Sequence, residues 1–98
     1  MKTKFPSLAL AGGVTLLALS GCALPPEGTN SQNIADFEAA VASIGCVMKH
    51  ESDYLPVELQ AGLTREQTLA IIKYELATKR AVNLPEGGVK LTTGACAG

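Results

Sequence analysis

The chain has 98 residues, which leaves room for one small domain at most. Its formal net charge is −1, and residues 22–98 alone carry six basic and nine acidic side chains, a net charge of about −3. This balance argues against nucleic acid as a partner, because phosphate binding rests on a basic surface. It also argues against electrostatic attraction to anionic lipid.

The first 21 residues have the layout of a secretory signal peptide. Lys2 and Lys4 precede an apolar stretch over residues 8–19 that only two glycines and a threonine interrupt. Twelve helical residues rise about 18 Å, well short of the ~30 Å hydrocarbon core, so we do not expect a membrane-spanning helix. A basic start, a short apolar region and small residues before a boundary are typical of a cleaved leader.

The boundary sequence Leu19-Ser20-Gly21-Cys22 resembles the lipobox of bacterial lipoproteins at all four positions. The resemblance covers about the first 23 residues. It implies that the Cys22 thiol receives a diacylglycerol, that a dedicated peptidase removes residues 1–21, and that Cys22 becomes the mature N-terminus. Two or three acyl chains on one residue make attachment effectively permanent, whereas a single chain anchors only reversibly. The alternative is an ordinary signal peptide followed by a coincidental cysteine.

Residues 22–32 are predicted to be the lipidated cysteine and a flexible tether. They contain Pro25-Pro26, Gly28 and small polar residues, and almost nothing to bury. In Gram-negative lipoproteins an aspartate directly after the lipidated cysteine favours retention in the inner membrane. Ala23 holds that position here, so the resemblance implies a lipid-anchored protein of the outer membrane, facing the periplasm, rather than of the inner membrane.

Residues 33–98 are predicted to form one small globular domain, which opens with an amphipathic helix over 33–44. Its apolar residues recur at spacings of three, four and three: Ile34, Phe37, Val41 and Ile44. Asn33 is the expected N-cap, with Asp36 three residues later, and Gly45 is the expected end. The short apolar run over residues 46–48 suits a small strand.

The second predicted helix is short. It covers Asp53 or Pro56 through Ala61, since proline is tolerated in a first helical turn. Ser52 or Asp53 is its expected cap, and Gly62 its expected end.

The third predicted helix begins after Thr64, which has capping-box spacing to Gln67, and runs to about Lys79. Its predicted buried stripe consists of Leu69, Ile72 and Leu76, with Tyr74 beside it. Glu75 and Lys79 stand at i, i+4, which favours an ion pair on the helix surface.

The chain ends in a predicted β-hairpin, with alternating apolar residues over 82–84 and 89–93 and a turn at 85–88. The element order of residues 33–96 resembles a winged helix, and the stretch 61–64 looks like the turn of a helix-turn-helix. The resemblance implies an α+β, mainly α, winged-helix-like domain of three helices, a C-terminal hairpin and a short third strand. A three-helix bundle with an irregular tail is the alternative.

Cys46 and Cys96 are predicted to form one structural disulfide. They remain as an even pair in an exported chain once Cys22 is lipidated. The winged-helix resemblance supports the pairing, because it places the short strand after the first helix antiparallel to the last strand. The start of one strand then lies near the end of the other. A redox or metal role is the alternative, but the chain has no Cys-x-x-Cys motif.

One cluster in the sequence, His50, Glu51 and Asp53, has side chains that could hold a metal or form an acid–base pair. Polar residues in such a turn are typically a solvated loop or a helix N-cap. His50 is the only histidine, so no second one completes a zinc site, and no Gly-x-Ser-x-Gly flanks a serine. We therefore predict no catalytic, cofactor-binding or metal-binding residues.

These observations predict a lipid-anchored protein of the bacterial envelope that acts as a non-catalytic accessory or interaction module, with an unidentified envelope protein as its partner. One alternative is a small envelope enzyme or ligand-binding protein that uses His50, Glu51 and Asp53. The other is a winged-helix nucleic-acid binder, should the leader be misread. In that reading basic residues of the third helix would face the nucleic acid, but acidic residues interleave with them.

Overall fold

The structure of the protein, a computed structural model, describes residues 24–97. The lipobox and Cys22 lie outside the described residues, so the predictions for them stay predictions. The described elements, in chain order, are α1 (Ser31–Ser43), β1 (Val47–Met48), α2 (Glu51–Ala61), α3 (Arg65–Ala77), β2 (Ala81–Asn83), β3 (Val89–Leu91) and a 3₁₀ turn (Gly94–Cys96). Within residues 24–97, no helix is both long and apolar enough to cross a membrane.

The three strands form one antiparallel sheet in the order β1-β3-β2. Val89 stands opposite Met48 on one side and Asn83 on the other. The hairpin turn packs closely against the end of β1, and a side chain at Gly88 would meet the Met48 carbonyl oxygen at 2.6 Å. Three helices and this sheet confirm the predicted α+β, mainly α, winged-helix-like domain and exclude the alternative with an irregular tail.

α1 begins two residues before the predicted start, because its N-cap is Asn30 rather than Asn33. The Asn30 side chain accepts a hydrogen bond from the Asn33 backbone N–H at 2.8 Å, and the Asn33 side chain accepts one from the Asn30 N–H at 2.9 Å. The prediction of Asn33 as N-cap was wrong, since both asparagines satisfy the sequence preference and the helix uses the earlier one. The end is as predicted, with Gly45 beyond the last turn at φ +102°.

α2 begins at Glu51 with His50 as its N-cap residue, so the prediction of Ser52 or Asp53 at the N-cap position was wrong. Asp53 stands at the third helical position, where its carboxylate accepts hydrogen bonds from the backbone N–H groups of Lys49 and His50 at 2.8 and 2.9 Å. Gly62 ends α2 in the left-handed conformation, as predicted.

The start of α3 confirms the predicted capping box of Thr64 and Gln67, with both reciprocal hydrogen bonds at about 3 Å. Of its predicted buried stripe, Ile72 is confirmed, whereas Leu69 and Leu76 are not among the buried residues. The buried residues of α3 are Thr68, Ile71, Ile72 and Glu75. Leu69 is 47% exposed, and Leu76 is only half-buried. Two of the four buried positions are polar, so an apolar pattern alone points to the wrong face.

The hydrophobic core lies between α1 and the sheet and extends under α2 and α3. Its most deeply buried apolar side chains are Phe37, Ala40, Val41, Met48, Val57, Ile71 and Leu91. The polar side chain of Thr68, in the first turn of α3, is also fully buried, and its hydroxyl donates to the Thr64 carbonyl at 2.9 Å. This local hydrogen bond offsets the cost of burying the hydroxyl group.

Substitutions on α3 distinguish the observed face from the predicted one. Ile71→Ala is expected to lower the free energy of unfolding by about 2–5 kcal/mol, because it leaves a cavity around a fully buried side chain. Leu69→Ala, the matched control two residues away on the exposed face, is expected to change it by less than about 0.5 kcal/mol. Urea unfolding followed by circular dichroism measures both, and a larger loss for Leu69→Ala than for Ile71→Ala would contradict this packing.

The predicted disulfide is confirmed: Cys46 and Cys96 are bonded, with their Cα atoms 5.7 Å apart. The sheet brings them together, because β1 and β3 run antiparallel and the Leu91 N–H donates to the Cys46 carbonyl at 2.9 Å. Cys46 has a left-handed backbone with φ +70°. The bond therefore joins the turn after α1 to the 3₁₀ turn that follows β3.

Candidate functional site

The predicted cluster of His50, Glu51 and Asp53 does not form a common site. The Asp53 carboxylate accepts hydrogen bonds from two backbone N–H groups, and these bonds hold its pKa below the usual range. The Glu51 carboxylate instead pairs with Arg65, which lowers the pKa of Glu51. The Asp53 carboxylate therefore caps α2, and the Glu51 carboxylate pairs with the Arg65 cation. Across residues 24–97 no three His, Cys, Asp or Glu side chains are grouped to hold a metal ion.

Arg65 joins the first turn of α3 to α2. Its guanidinium binds the carboxylates of Glu51 and Glu58 and lies 4.5 Å from the centre of the Tyr54 ring. The two carboxylates raise the pKa of Arg65 further above its usual value. Glu51 and Arg65 are both substantially exposed, so solvent screens this pair strongly. The arrangement holds two helices together and leaves the guanidinium charge compensated.

A second ionic cluster centres on Glu75 of α3, which is fully buried. Glu75 has no exposed surface, and its Oε1 lies 3.1 Å from the Nε of Arg80. Arg80 also binds Glu38 of α1, with Nη2 and Oε2 2.7 Å apart. The second carboxyl oxygen of Glu75 has no hydrogen-bond partner among the described residues. Two carboxyl groups thus share the guanidinium of Arg80, whose side chain is 38% exposed.

The environment of Glu75 keeps its carboxyl group largely protonated at neutral pH. Burial, and after it the neighbouring Glu38 carboxylate, raise the pKa of Glu75 to about 8, although Arg80 opposes the shift. A neutral Glu75 beside Glu38 and Arg80 leaves one negative and one positive charge in the cluster. The cluster is therefore close to electrically neutral at pH 7.

The predicted surface ion pair of Glu75 with Lys79 is wrong. α3 ends at Ala77, and Lys79 has a left-handed backbone with φ +65°, so it no longer continues the helical spacing. The reversal brings Arg80 back over the helix end, where its N–H donates to the Glu75 carbonyl at 2.8 Å. The pairing of Glu75 with Arg80 was not predicted, because the prediction from sequence spacing continued the helix to Lys79.

The Glu75 cluster borders an open cavity of about 240 Å³ beside the start of α1. Its lining residues are Pro25, Ser31, Ile34, Ala35, Glu38, Tyr74 and Arg80. Arg80 is the cation that lines this cavity, and the charge of Arg80 is already engaged by Glu38 and Glu75. The cavity therefore presents no uncompensated charge for an anion.

Residues 24–30, the linker segment, lie against α3. The Gln67 side chain donates to the Gly28 carbonyl at 3.0 Å. Thr29 closes a turn by donating both its N–H and its hydroxyl to the Pro26 carbonyl, at 3.0 and 2.7 Å. Leu24 and Pro26 line a shallow, largely apolar groove of about 370 Å³ together with Ala70, Lys73, Tyr74 and Ala77.

Two exposed leucines mark the surface of α2. Leu55 is 58% exposed and Leu59 is 75% exposed. They stand at i, i+4 and therefore share one face of the helix. Single exposed leucines are ordinary on a protein surface, but a pair on one helical face provides an apolar contact for a partner. This pair is the candidate interaction surface of the domain.

The chain was compared with protein-family models, with curated proteins and with solved structures, and none of the three comparisons found a match.

Proposed function

We propose that the protein is a small lipoprotein of the bacterial envelope, anchored through acyl chains on Cys22, with residues 33–98 as a non-catalytic accessory or interaction module. The observation that carries this proposal is the sequence Leu19-Ser20-Gly21-Cys22 after a short basic and apolar leader. Ala23 after the cysteine favours the outer membrane, facing the periplasm, as its location. The partner in this proposal is another envelope protein.

The Cys46–Cys96 disulfide supports export, because such bonds persist in oxidising compartments and are rare in the cytosol. The use of the cysteines supports the anchor as well. Two of the three cysteines are bonded to each other, which leaves Cys22 as the thiol to be acylated.

The roles of the polar side chains support a non-catalytic module. In the one sequence cluster with catalytic potential, Asp53 caps α2 and Glu51 binds Arg65. Glu75 is buried in the interior, where it binds Arg80. These groups are engaged in holding elements together, whereas a general acid or base must reach a substrate.

Cys22→Ser is expected to block processing, because serine has no thiol to accept the diacylglycerol. Mass spectrometry of the membrane fraction is expected to show a wild-type chain that begins at Cys22 and carries added acyl mass. The variant is expected to keep residues 1–21 and to carry no acyl mass. Ser7→Ala, a control within the leader but outside the lipobox, is expected to be processed normally. A wild-type chain that begins at Met1, or is cut elsewhere without lipid, would end the proposal.

The interaction role is tested by photocrosslinking in intact cells. A crosslinking side chain at Leu55 or Leu59 is expected to give one discrete protein adduct, because these residues form the exposed apolar pair of α2. The same side chain at Glu86, on the exposed hairpin turn, is the control and is expected to give none. Adducts of equal yield at all three positions, or at none, would argue against α2 as the partner surface.

A further inference from the structure

The place where the linker segment meets the domain limits where the anchor lies relative to α3. Leu24 lines a shallow groove together with Lys73 and Ala77 of the C-terminal half of α3. Pro25 lies beside Tyr74 and Arg80 in the neighbouring cavity. The Gln67 bond to Gly28 holds the other end of the segment at the start of α3. The segment therefore runs along the helix, with Leu24 near the C-terminal half of α3.

Chain geometry then determines how far the anchored residue can be from the domain. Cys22 precedes Leu24 by two residues. Consecutive Cα atoms are about 3.8 Å apart, so the Cα atoms of Cys22 and Leu24 are at most roughly 7.6 Å apart. This distance is small compared with the ~30 Å thickness of the hydrocarbon core. A lipid on Cys22 brings Leu24, and with it this half of α3, to the membrane surface.

We infer that the anchor holds the domain directly on the bilayer, with the anchor-proximal face in contact with lipid headgroups. This face consists of Leu24, Pro26, Ala70, Lys73 and Ala77. The inference rests on the proposed lipidation of Cys22 and adds an orientation to it. The tether predicted from composition would instead let the domain move freely away from the membrane.

The chemistry of the anchor-proximal face suits a lipid surface. Leu24 is 69% exposed although it is apolar, and Lys73 is exposed beside it. A lysine at such a position places its methylene groups along apolar surface and its ammonium group among headgroups. Residues 22–98 carry a net charge of about −3, so the contact depends on the covalent anchor and not on the overall charge.

This orientation restricts the partner of the domain. A domain on the bilayer surface meets proteins that are embedded in, or bound to, the same membrane. A partner therefore contacts those surfaces of the domain that the bilayer leaves free.

The test uses the full processed protein in vesicles of phosphatidylethanolamine and phosphatidylglycerol. Single cysteines in place of Lys73, Ala77, Leu59 or Glu86 carry an environment-sensitive fluorophore, and the disulfide protects the native pair. Lipids spin-labelled near the headgroup are expected to quench most of the fluorescence at positions 73 and 77. Little quenching is expected at positions 59 and 86, on α2 and the hairpin turn. Thermal melts confirm that each labelled variant is folded.

A flexible insertion tests the cause of the orientation. About eight Gly and Ser residues between Ala23 and Leu24 leave the lipobox and Ala23 intact and add roughly 16 Å of reach. This variant is expected to lose the difference in quenching between the four positions. Selective quenching that persists in the insertion variant would overturn the anchor as its cause.

The outcomes separate this inference from the proposed function. Equal quenching at all four positions of the protein without the insertion, in a preparation whose mass shows acylated Cys22, would overturn the orientation and leave the lipoprotein proposal standing. A preparation without acyl mass would overturn the proposed function itself, and the orientation with it. Mass spectrometry of the same vesicles decides between these cases.

Discussion

Reduction of the Cys46–Cys96 disulfide is expected to lower the free energy of unfolding by about 4 kcal/mol, because the bond closes a loop of 50 residues and restricts the unfolded chain. The globular part of the protein is small, and a core of this size supplies only a few kcal/mol by itself. Loss of the bond is therefore expected to leave the domain partly or wholly unfolded at 37 °C. Thermal unfolding with and without reductant measures the effect.

The matched control for reduction is the double variant Cys46→Ala, Cys96→Ala. It is expected to resemble the reduced wild-type protein, and reductant is expected to cause no further change in its melting temperature. A thiol assay on the folded wild-type domain is expected to find Cys46 and Cys96 unreactive before reduction. Unchanged stability after verified reduction would contradict a structural role and would favour a redox function for the bond.

Glu75→Gln is expected to stabilise the domain at pH 8 by roughly 2–4 kcal/mol, because it replaces a buried ionisable carboxyl group by a neutral group of the same shape. The effect of the substitution develops between pH 4.5, the ordinary pKa of the carboxyl group, and about 8, the raised pKa of Glu75 in the folded protein. The glutamine oxygen is expected to accept from Arg80, as Oε1 of Glu75 does. Chemical unfolding of both proteins between pH 4 and 9 measures the difference.

The direction of the pH dependence follows from the two pKa values of Glu75. Below pH 4.5 the carboxyl group is protonated in the folded and the unfolded chain, and its contribution to stability is fully present. As the pH rises to about 8, the unfolded chain loses the proton first, so the wild-type protein loses stability over this window. Glu75→Gln is expected to remove this loss and to differ little from wild type at pH 4.

Glu66→Gln is the matched control on the same helix. Glu66 is exposed, so its substitution is expected to change stability by less than about 0.5 kcal/mol at any of these pH values. Destabilisation by Glu75→Gln at pH 8 would show that the ionised carboxylate, held by Arg80, is the form that stabilises the fold. That result would contradict the protonated state assigned to Glu75.

Features that depend on a few neighbouring residues could be predicted from the sequence. The capping box of Thr64 and Gln67 and the left-handed Gly62 are both local, and both are confirmed. Asn30 shows the limit of this reasoning, since two asparagines three residues apart fit the same cap. The helix takes the earlier one because each asparagine can then accept a bond from the other's N–H.

The burial of α3 could not be predicted from its composition. Thr68 and Glu75 are buried, although a hydrophobic pattern assigns their positions to solvent. Leu69 is exposed, although the same pattern assigns it to the core. Glu75 is tolerated in the interior because Arg80 lies next to it, and Arg80 reaches it only through the backbone reversal at Lys79. Residue spacing within a helix does not predict this backbone reversal at Lys79.

The sequence by itself determined the order of the elements, the turn glycines, the lipobox expectation and the pairing of Cys46 with Cys96. The elements and turns rest on local hydrogen bonding and on the alternation of apolar residues, the lipobox on a resemblance at four positions, and the pairing on the count of cysteines and the winged-helix resemblance. Only the tertiary structure decided that the linker segment lies along α3 and that Glu75 shares Arg80 with Glu38. These contacts join residues far apart in the chain, and their energies depend on desolvation, which is set by the packed neighbours and not by the local sequence.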